Sequence, residues 1–228
     1  MTHRVQIKIC GVGTTEEIAL GSAAGANALG FVPGWETPVG RLGDAKIAAL
    51  MREVPVGVAK VLLTQHLEAS SMIAQAIRCG ADTIQICDHV SVATRRALRA
   101  ALPDVRLLQV VHMGGDVHMA DVEALAECAD GLLLDSGVSG ASFSERGGTG
   151  RVHDWAKSRA VVDAVTTPVW LAGGLRAENV ATAVRNSSIE NEPLRSRSKP
   201  STTCGCAPSA RRPATPVAPA RSATCRTR

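Results

Sequence analysis

Seven times along this chain a run of five to seven largely aliphatic residues is followed by a stretch with the apolar periodicity of a helix. The runs fall at 5–10, 28–32, 57–63, 83–87, 106–111, 131–135 and 168–172. The helical stretches fall at 15–24, 43–52, 67–79, 91–101, 116–128, 155–164 and 177–185. Strand starts lie 23 to 29 residues apart, widening to 37 before the seventh, where a glycine-rich loop intervenes. Runs that are apolar on both faces belong in a parallel sheet covered by helices, and strictly alternating strands and helices build one. Thr14 and Thr15 before two glutamates, Ser91, Asp116 and Asp154 stand where helix-capping side chains are expected.

Seven such units in one compact chain point to a (β/α)8 TIM barrel rather than an open doubly wound sheet, and to an incomplete one. An eighth unit is expected just after Arg185 and is not recognisable there. From Asn186 the pattern gives way to Arg, Pro, Ser, Thr and Ala, with six of the chain's eleven prolines and no aromatic residue. Such a segment buries too little apolar surface to offset its ordering entropy. The expected organisation is therefore a barrel over 1–185 and a disordered basic tail over 186–228. Although the net charge is +4, residues 1–192 hold 17 basic and 21 acidic side chains, so the basicity belongs to the tail.

With 45% hydrophobic but only 2% aromatic residues, a core of Ile, Leu, Val and Ala is implied. No apolar stretch is flanked like a signal peptide, and none approaches the roughly 20 residues of a membrane span. The expected location is the cytoplasm. The seven cysteines, an odd and scattered set without zinc-ligand spacing, suit reduced thiols and no metal.

In barrels of this kind the chemistry gathers where the strands end. Lys8-Ile9-Cys10-Gly11 closes the first strand, and alternation puts Lys8 and Cys10 on the face opposite Val5, Ile7 and Ile9. Cys10 is then either a small buried hydrophobe or a reactive thiol, with Lys8 placed to lower its pKa. Asp135 ends the sixth strand on the same rim, as a turn cap or as an acid. Gln85 shares an inward face with Thr83 and Cys87 and either fills the lumen or meets a ligand. Gly147-Gly148-Thr149-Gly150 opens into the sixth helix, where glycines let a loop approach a ligand or move over it. Gly173 and Gly174 follow the seventh strand, where barrels often hold a phosphate on backbone amides.

Taken together, Lys8 to Gly11, Ala23 to Phe31, Gly147 to Trp155 and Leu171 to Val180 closely resemble phosphoribosylanthranilate isomerase of tryptophan biosynthesis, from about Val5 to Arg185. The resemblance implies an Amadori rearrangement of a phosphorylated sugar-anthranilate, with one acid, one base and no cofactor. It assigns Cys10 as general base and Asp135 as general acid, and it aligns Gln85 with the family's strand-four glutamine.

This chain departs from the family pattern in several places. After the glutamine the family usually has Leu-His-Gly, whereas Ile86-Cys87-Asp88-His89 stands here. The second loop lacks the usual serine and arginine, so Arg41 meets the substrate carboxylate only if the alignment slips, and otherwise lies on the surface near a helix start. The family's closing Gly-Val-Asp-Val strand and Ser-Ser-Gly-Val phosphate loop have no counterpart after Arg185. Losing two charge-assisted bonds to phosphate, at about 1.5 to 3 kcal/mol each, lowers kcat/KM on the order of 10² to 10⁴-fold.

Two other readings compete. Another phosphate-binding barrel would need strand-end metal ligands or a catalytic lysine set, and neither pattern is present. A barrel remnant that has lost catalysis would bind nucleic acid through its tail, but that tail lacks interleaved aromatics and any folded motif. Oligomeric state is not readable from the sequence.

An abrupt switch from acidic, periodic sequence to Arg/Pro/Ala/Ser-rich sequence is what a shifted reading frame in a GC-rich gene produces. Translating the other two frames downstream of codon 186 is expected to reveal a Gly-Val-Asp strand followed by Ser-Gly-Val; finding no such stretch refutes the shift.

Overall fold

A computed structural model describes residues 5–34, 42–137 and 151–189. Strand and helix alternate throughout as β1 Lys8–Cys10, α1 Thr15–Ala23, β2 Ala28–Phe31, α2 Asp44–Glu53, β3 Ala59–Thr64, α3 Ala69–Cys79 and β4 Thr83–Ile86. They continue as α4 Val92–Ala101, β5 Arg106–His112, α5 Met119–Cys128, β6 Gly131–Asp135, α6 Trp155–Ala164, β7 Val169–Leu171 and α7 Val180–Ser187. All seven strands are parallel, and each pairs only with its neighbours in sequence order. The sheet curls far enough for residues of β1 and of β7–α7 to line one cleft of about 290 Å³. This is the incomplete (β/α)8 barrel that the repeat predicts.

Period-two alternation divides the core into two layers. Outward residues such as Leu29, Phe31, Leu62, Ile84, Leu132 and Leu134 are fully buried under the helices. Inward residues fill the lumen: Cys10, Ala28, Val61 and Leu63 on one side, and Leu108, Val110, Leu133 and Trp170 on the other, with Cys87 packed against both groups. Only this inner layer exposes side chains to the barrel mouth, so any chemistry on the strands must come from it.

A repeated polar device sets the strand register at the opposite end. Asn27, Asp82 and Asp130 each precede an even-numbered strand. Their side-chain oxygens accept from the backbone N–H of Ile7 at 2.9 Å, Lys60 at 3.0 Å and Leu107 at 2.9 Å, just before or at the start of the preceding strand. Each odd strand is thereby tied to the even strand after it. Asp130 also pairs with Arg99 from α4, linking this tie to the helical layer.

Helix starts follow the expected caps in three places. Thr14 accepts from the Glu17 amide at 3.1 Å, Ser91 from Thr94 at 3.0 Å and Asp154 from Ala156 at 2.9 Å. Asp116 does not cap: α5 starts at Met119 after His118, which makes no side-chain cap bond. The seventh helix likewise begins at Val180 rather than 177, because Asn179 is spent on the preceding turn, and it runs to Ser187, past the expected boundary at 185.

The first strand is shorter than its sequence suggests. Residues 5–7 precede it, and Val5 and Ile7 are 43% and 50% exposed. Among the described residues no strand pairs with the far edge of β1, and Val5 and Ile7 line the cleft between it and β7–α7. Cys10, Cys79 and Cys87 are free thiols, as expected.

Because Asp130 holds both a strand amide and Arg99 in partly buried surroundings, Asp130→Ala is expected to lower unfolding free energy by about 1.5 to 3 kcal/mol. Urea denaturation measures this, and an unchanged midpoint would show that the tie carries no weight.

Candidate active site

Inward alternation ends at the carboxyl ends of the strands in a layer whose members come from four strands. Cys10 closes β1, Cys87 follows β4, His112 closes β5 and Asp135 closes β6. Parallel pairing puts His112 directly beside Asp135, and the Met113 amide donates to the Asp135 carbonyl at 2.7 Å. Sequence reasoning expected Cys10 and Asp135 on one rim, and both lie there, each 7% exposed.

Cys10 has room for its sulfur because its register partner is a glycine. A Cβ on Gly30 would sit 2.8 Å from the Cys10 Sγ and 3.3 Å from its Cα, so any larger residue on β2 would displace the thiol. The site thus depends on the absence of a side chain one strand away.

Gln85 lies one inward position below Cys87 and is 3% exposed. Its Nε2 donates to the Cys87 Sγ at 3.6 Å, while its Oε1 is buried and has no partner among the described residues. Burial pushes the Cys87 thiol up to about 12, with the neighbouring Cys10 and Asp88 adding to the rise and Gln85 and Lys8 opposing it. Cys87 therefore stays protonated at neutral pH and is no nucleophile.

Asp135 is buried, and desolvation raises its carboxyl above the ordinary carboxylate range. His112, the Ser136 amide and hydroxyl, and Lys8 oppose that rise. A carboxyl held up in this way keeps its proton to higher pH and suits an acid. Lys8, expected beneath Cys10, contributes positive charge to Asp135 and Cys87 alike.

Gly173 and Gly174 leave β7 with φ of +84° and +63°, a conformation that favours glycine. A Cβ on Gly173 would fall 2.4 Å from the Ser136 hydroxyl oxygen, so this glycine lets the β7 loop close against the end of β6. Asn179 fixes the turn by donating to the Gly174 carbonyl at 3.0 Å and accepting from the Arg176 amide at 2.8 Å. Arg41 and Gly148, the two remaining sequence candidates, lie outside the described residues. Among the described residues no group of His, Cys, Asp and Glu is arranged to hold a metal ion.

The sequence pattern ends the fifth strand at 111, one residue short of His112, which the structure adds to the site. Its signal was present: Leu108, Val110 and His112 continue a single inward alternation.

The family model for "N-(5'phosphoribosyl)anthranilate (PRA) isomerase" matches residues 7–193. The N-(5'-phosphoribosyl)anthranilate isomerase 2 of Methanosarcina mazei is 30% identical over 182 residues, covering 79% of this chain and 80% of that one. The isomerase of Haloarcula marismortui is 33% identical over 180 residues, covering 78% and 80%. Among solved structures, phosphoribosyl anthranilate isomerase from Thermococcus kodakaraensis superposes with a TM-score of 0.64 at 25% identity, covering 82% of this chain and 86% of that one. The enzyme from Thermus thermophilus gives a TM-score of 0.67 at 21% identity, covering 80% and 83%.

Since the Asp135 carboxyl titrates higher folded than unfolded, its ionisation opposes folding. Its favourable contribution is complete below the unfolded value of about 3.9 and is lost as pH rises through the folded value. Asp135→Asn is therefore expected to be more stable than the parent at neutral pH, with the gain vanishing toward pH 3. Denaturant melts across that range measure it, and a gain independent of pH contradicts the burial argument.

Proposed function

The chain belongs to the N-(5'-phosphoribosyl)anthranilate isomerase family, and from that membership we propose that it catalyses the Amadori rearrangement of N-(5-phosphoribosyl)anthranilate to 1-(2-carboxyphenylamino)-1-deoxyribulose 5-phosphate. The observation that carries the reading is the pairing, at one lumen mouth, of a glycine-accommodated thiol at Cys10 with a buried, proton-retaining carboxyl at Asp135.

In this reading the Asp135 carboxyl gives its proton to the furanose ring oxygen. The amine lone pair then moves into a C1–N double bond as the C1–O bond breaks. The Cys10 thiolate removes the C2 proton, and the C2–H electron pair forms a C1–C2 double bond while the iminium electrons return to nitrogen. The resulting enol tautomerises to the ketose. Every proton and electron pair is conserved, so one acid and one base suffice and no cofactor enters.

Backbone amides at Gly173 and Gly174 are assigned to the phosphate, which their position after β7 supports. Gln85, with its unpartnered Oε1 in the lumen, is assigned to the bound substrate. From the family resemblance alone, Arg41 is assigned to the anthranilate carboxylate and Gly148 to the loop over the site. The catalytic barrel is assigned to the residues up to the end of α7 at Ser187, two beyond the boundary at 185 expected from the sequence, and the residues after it to a basic tail. The small phosphorylated substrate needs no membrane partner, and no described helix is long and apolar enough to cross one. A cytoplasmic location and no nucleic-acid partner complete the proposal.

The test is conversion of synthetic phosphoribosylanthranilate, followed by chromatography of product. Cys10→Ser and Asp135→Asn are each expected to lower kcat by roughly 10² to 10⁴-fold while leaving the circular-dichroism spectrum unchanged. A folded parent protein that makes no product, or variants that match it, would overturn the assignment.

A further inference from the structure

His112 enters neither step above, yet it occupies the same layer as both reacting groups. Its Nε2 lies 2.9 Å from the Cys87 carbonyl oxygen. A carbonyl only accepts, so Nε2 carries the hydrogen, and in the neutral ring Nδ1 is then a bare acceptor. The two ring nitrogens point to opposite sides. Nε2 faces the end of β4, and on the other side of β5 the register partner of His112 is Asp135 of β6. Nδ1 is buried and has no hydrogen-bond partner among the described residues. A buried imidazole nitrogen without a partner costs free energy, and protonation there would place a positive charge beside the carboxyl.

We propose that His112 is the positioning residue of the acid: anchored on the Cys87 carbonyl, it holds a titratable ring beside Asp135 and so governs when that carboxyl holds or releases its proton. The inference rests on the reading of Asp135 as general acid. The charged and titratable groups around the pair are Lys8 from β1, Cys87 and Asp88 at the end of β4, Cys10 across the lumen, and Asp135 itself from β6. Of these, Lys8 belongs to a strand not paired with β6. His112 stands on the adjoining strand, and its influence on the carboxyl opposes burial more than any other group's. A neutral ring leaves burial unopposed from that side, and Asp135 stays loaded. A protonated ring favours the carboxylate formed once the proton has gone to the ring oxygen, and it can hand back a proton for the next turnover.

His112→Gln keeps a donor for the Cys87 carbonyl and removes the charge; His112→Phe removes both. The full chain is labelled for carbon NMR of Asp135 and titrated, and kcat/KM is measured across the same pH range. In His112→Gln the Asp135 carboxyl is expected to become a weaker acid by roughly threefold or more. The limb of the pH profile that follows Asp135 moves to higher pH by the same factor, and KM changes less than twofold. A lost anchor without loss of charge control would move KM in His112→Phe but leave the Asp135 titration of His112→Gln where it was, and that result overturns the proposal. Parent protein without isomerase activity would sink the functional reading. The NMR arm would still decide whether His112 governs Asp135.

Discussion

Parallel pairing of consecutive strands is the constraint from which the rest of this molecule follows. Each strand is placed beside the next by backbone hydrogen bonds, and the period-two alternation then fixes which side chains enter the lumen. Cys10, Cys87, His112 and Asp135, spread over more than half of the chain, come to the carboxyl ends of their strands on one inward face only because the alternation of the five successive pairings from β1 to β6 agrees. The ties from Asn27, Asp82 and Asp130 hold that agreement at the far end of the strands. A slip of one residue in any pair would turn a reacting group out under the helices.

Burial then makes the chemistry. The lumen is packed with aliphatic side chains and Trp170, so charge at its mouth is poorly solvated. That single condition acts in different directions on different residues: it keeps Cys87 a neutral thiol and keeps Asp135 protonated beyond the usual range. Two chemically equivalent thiols are therefore not interchangeable. Cys10 is the one given space by Gly30, while Cys87 is clamped between Gln85 and the lumen wall.

The repeat itself was legible in the sequence, because aliphatic runs separated by capped helices admit few other arrangements. Most boundaries read from it lie within one to three residues of the observed elements. The errors share a physical origin. Val5 to Ile7 look like strand, yet a strand needs a partner edge, and whether one exists is a tertiary fact. The residues at 177–179 look like a helix start, yet a local turn claims them first, and Asp116 stands three residues ahead of the helix it seemed to cap. In the site, Cys10, Asp135, Gln85, Gly173 and Gly174 could be placed on the strands and loops that carry them. What no linear reading supplies is the lateral register that seats His112 beside Asp135, or the vacancy on β2 that admits the Cys10 sulfur.

That vacancy bears on how firmly the base is held. β1 contributes three residues to the sheet and, among the described residues, pairs along one edge only. Its position rests on the ladder to β2, on the Asn27 side chain that accepts from Ile7, and on Gly11 and Val12, whose amides both donate to the Gly30 carbonyl at 2.9 and 3.0 Å. Asp135, by contrast, lies on a strand paired on both sides. The acid is thus set into the middle of the sheet and the base at its margin. A rearrangement that needs a proton delivered at one atom and another removed from the atom two bonds away is sensitive to small errors in the separation of the two groups. Because Gly30 leaves room for the Cys10 sulfur and its carbonyl accepts from the two amides that follow Cys10, a side chain at this one position would change that separation from the side of the base.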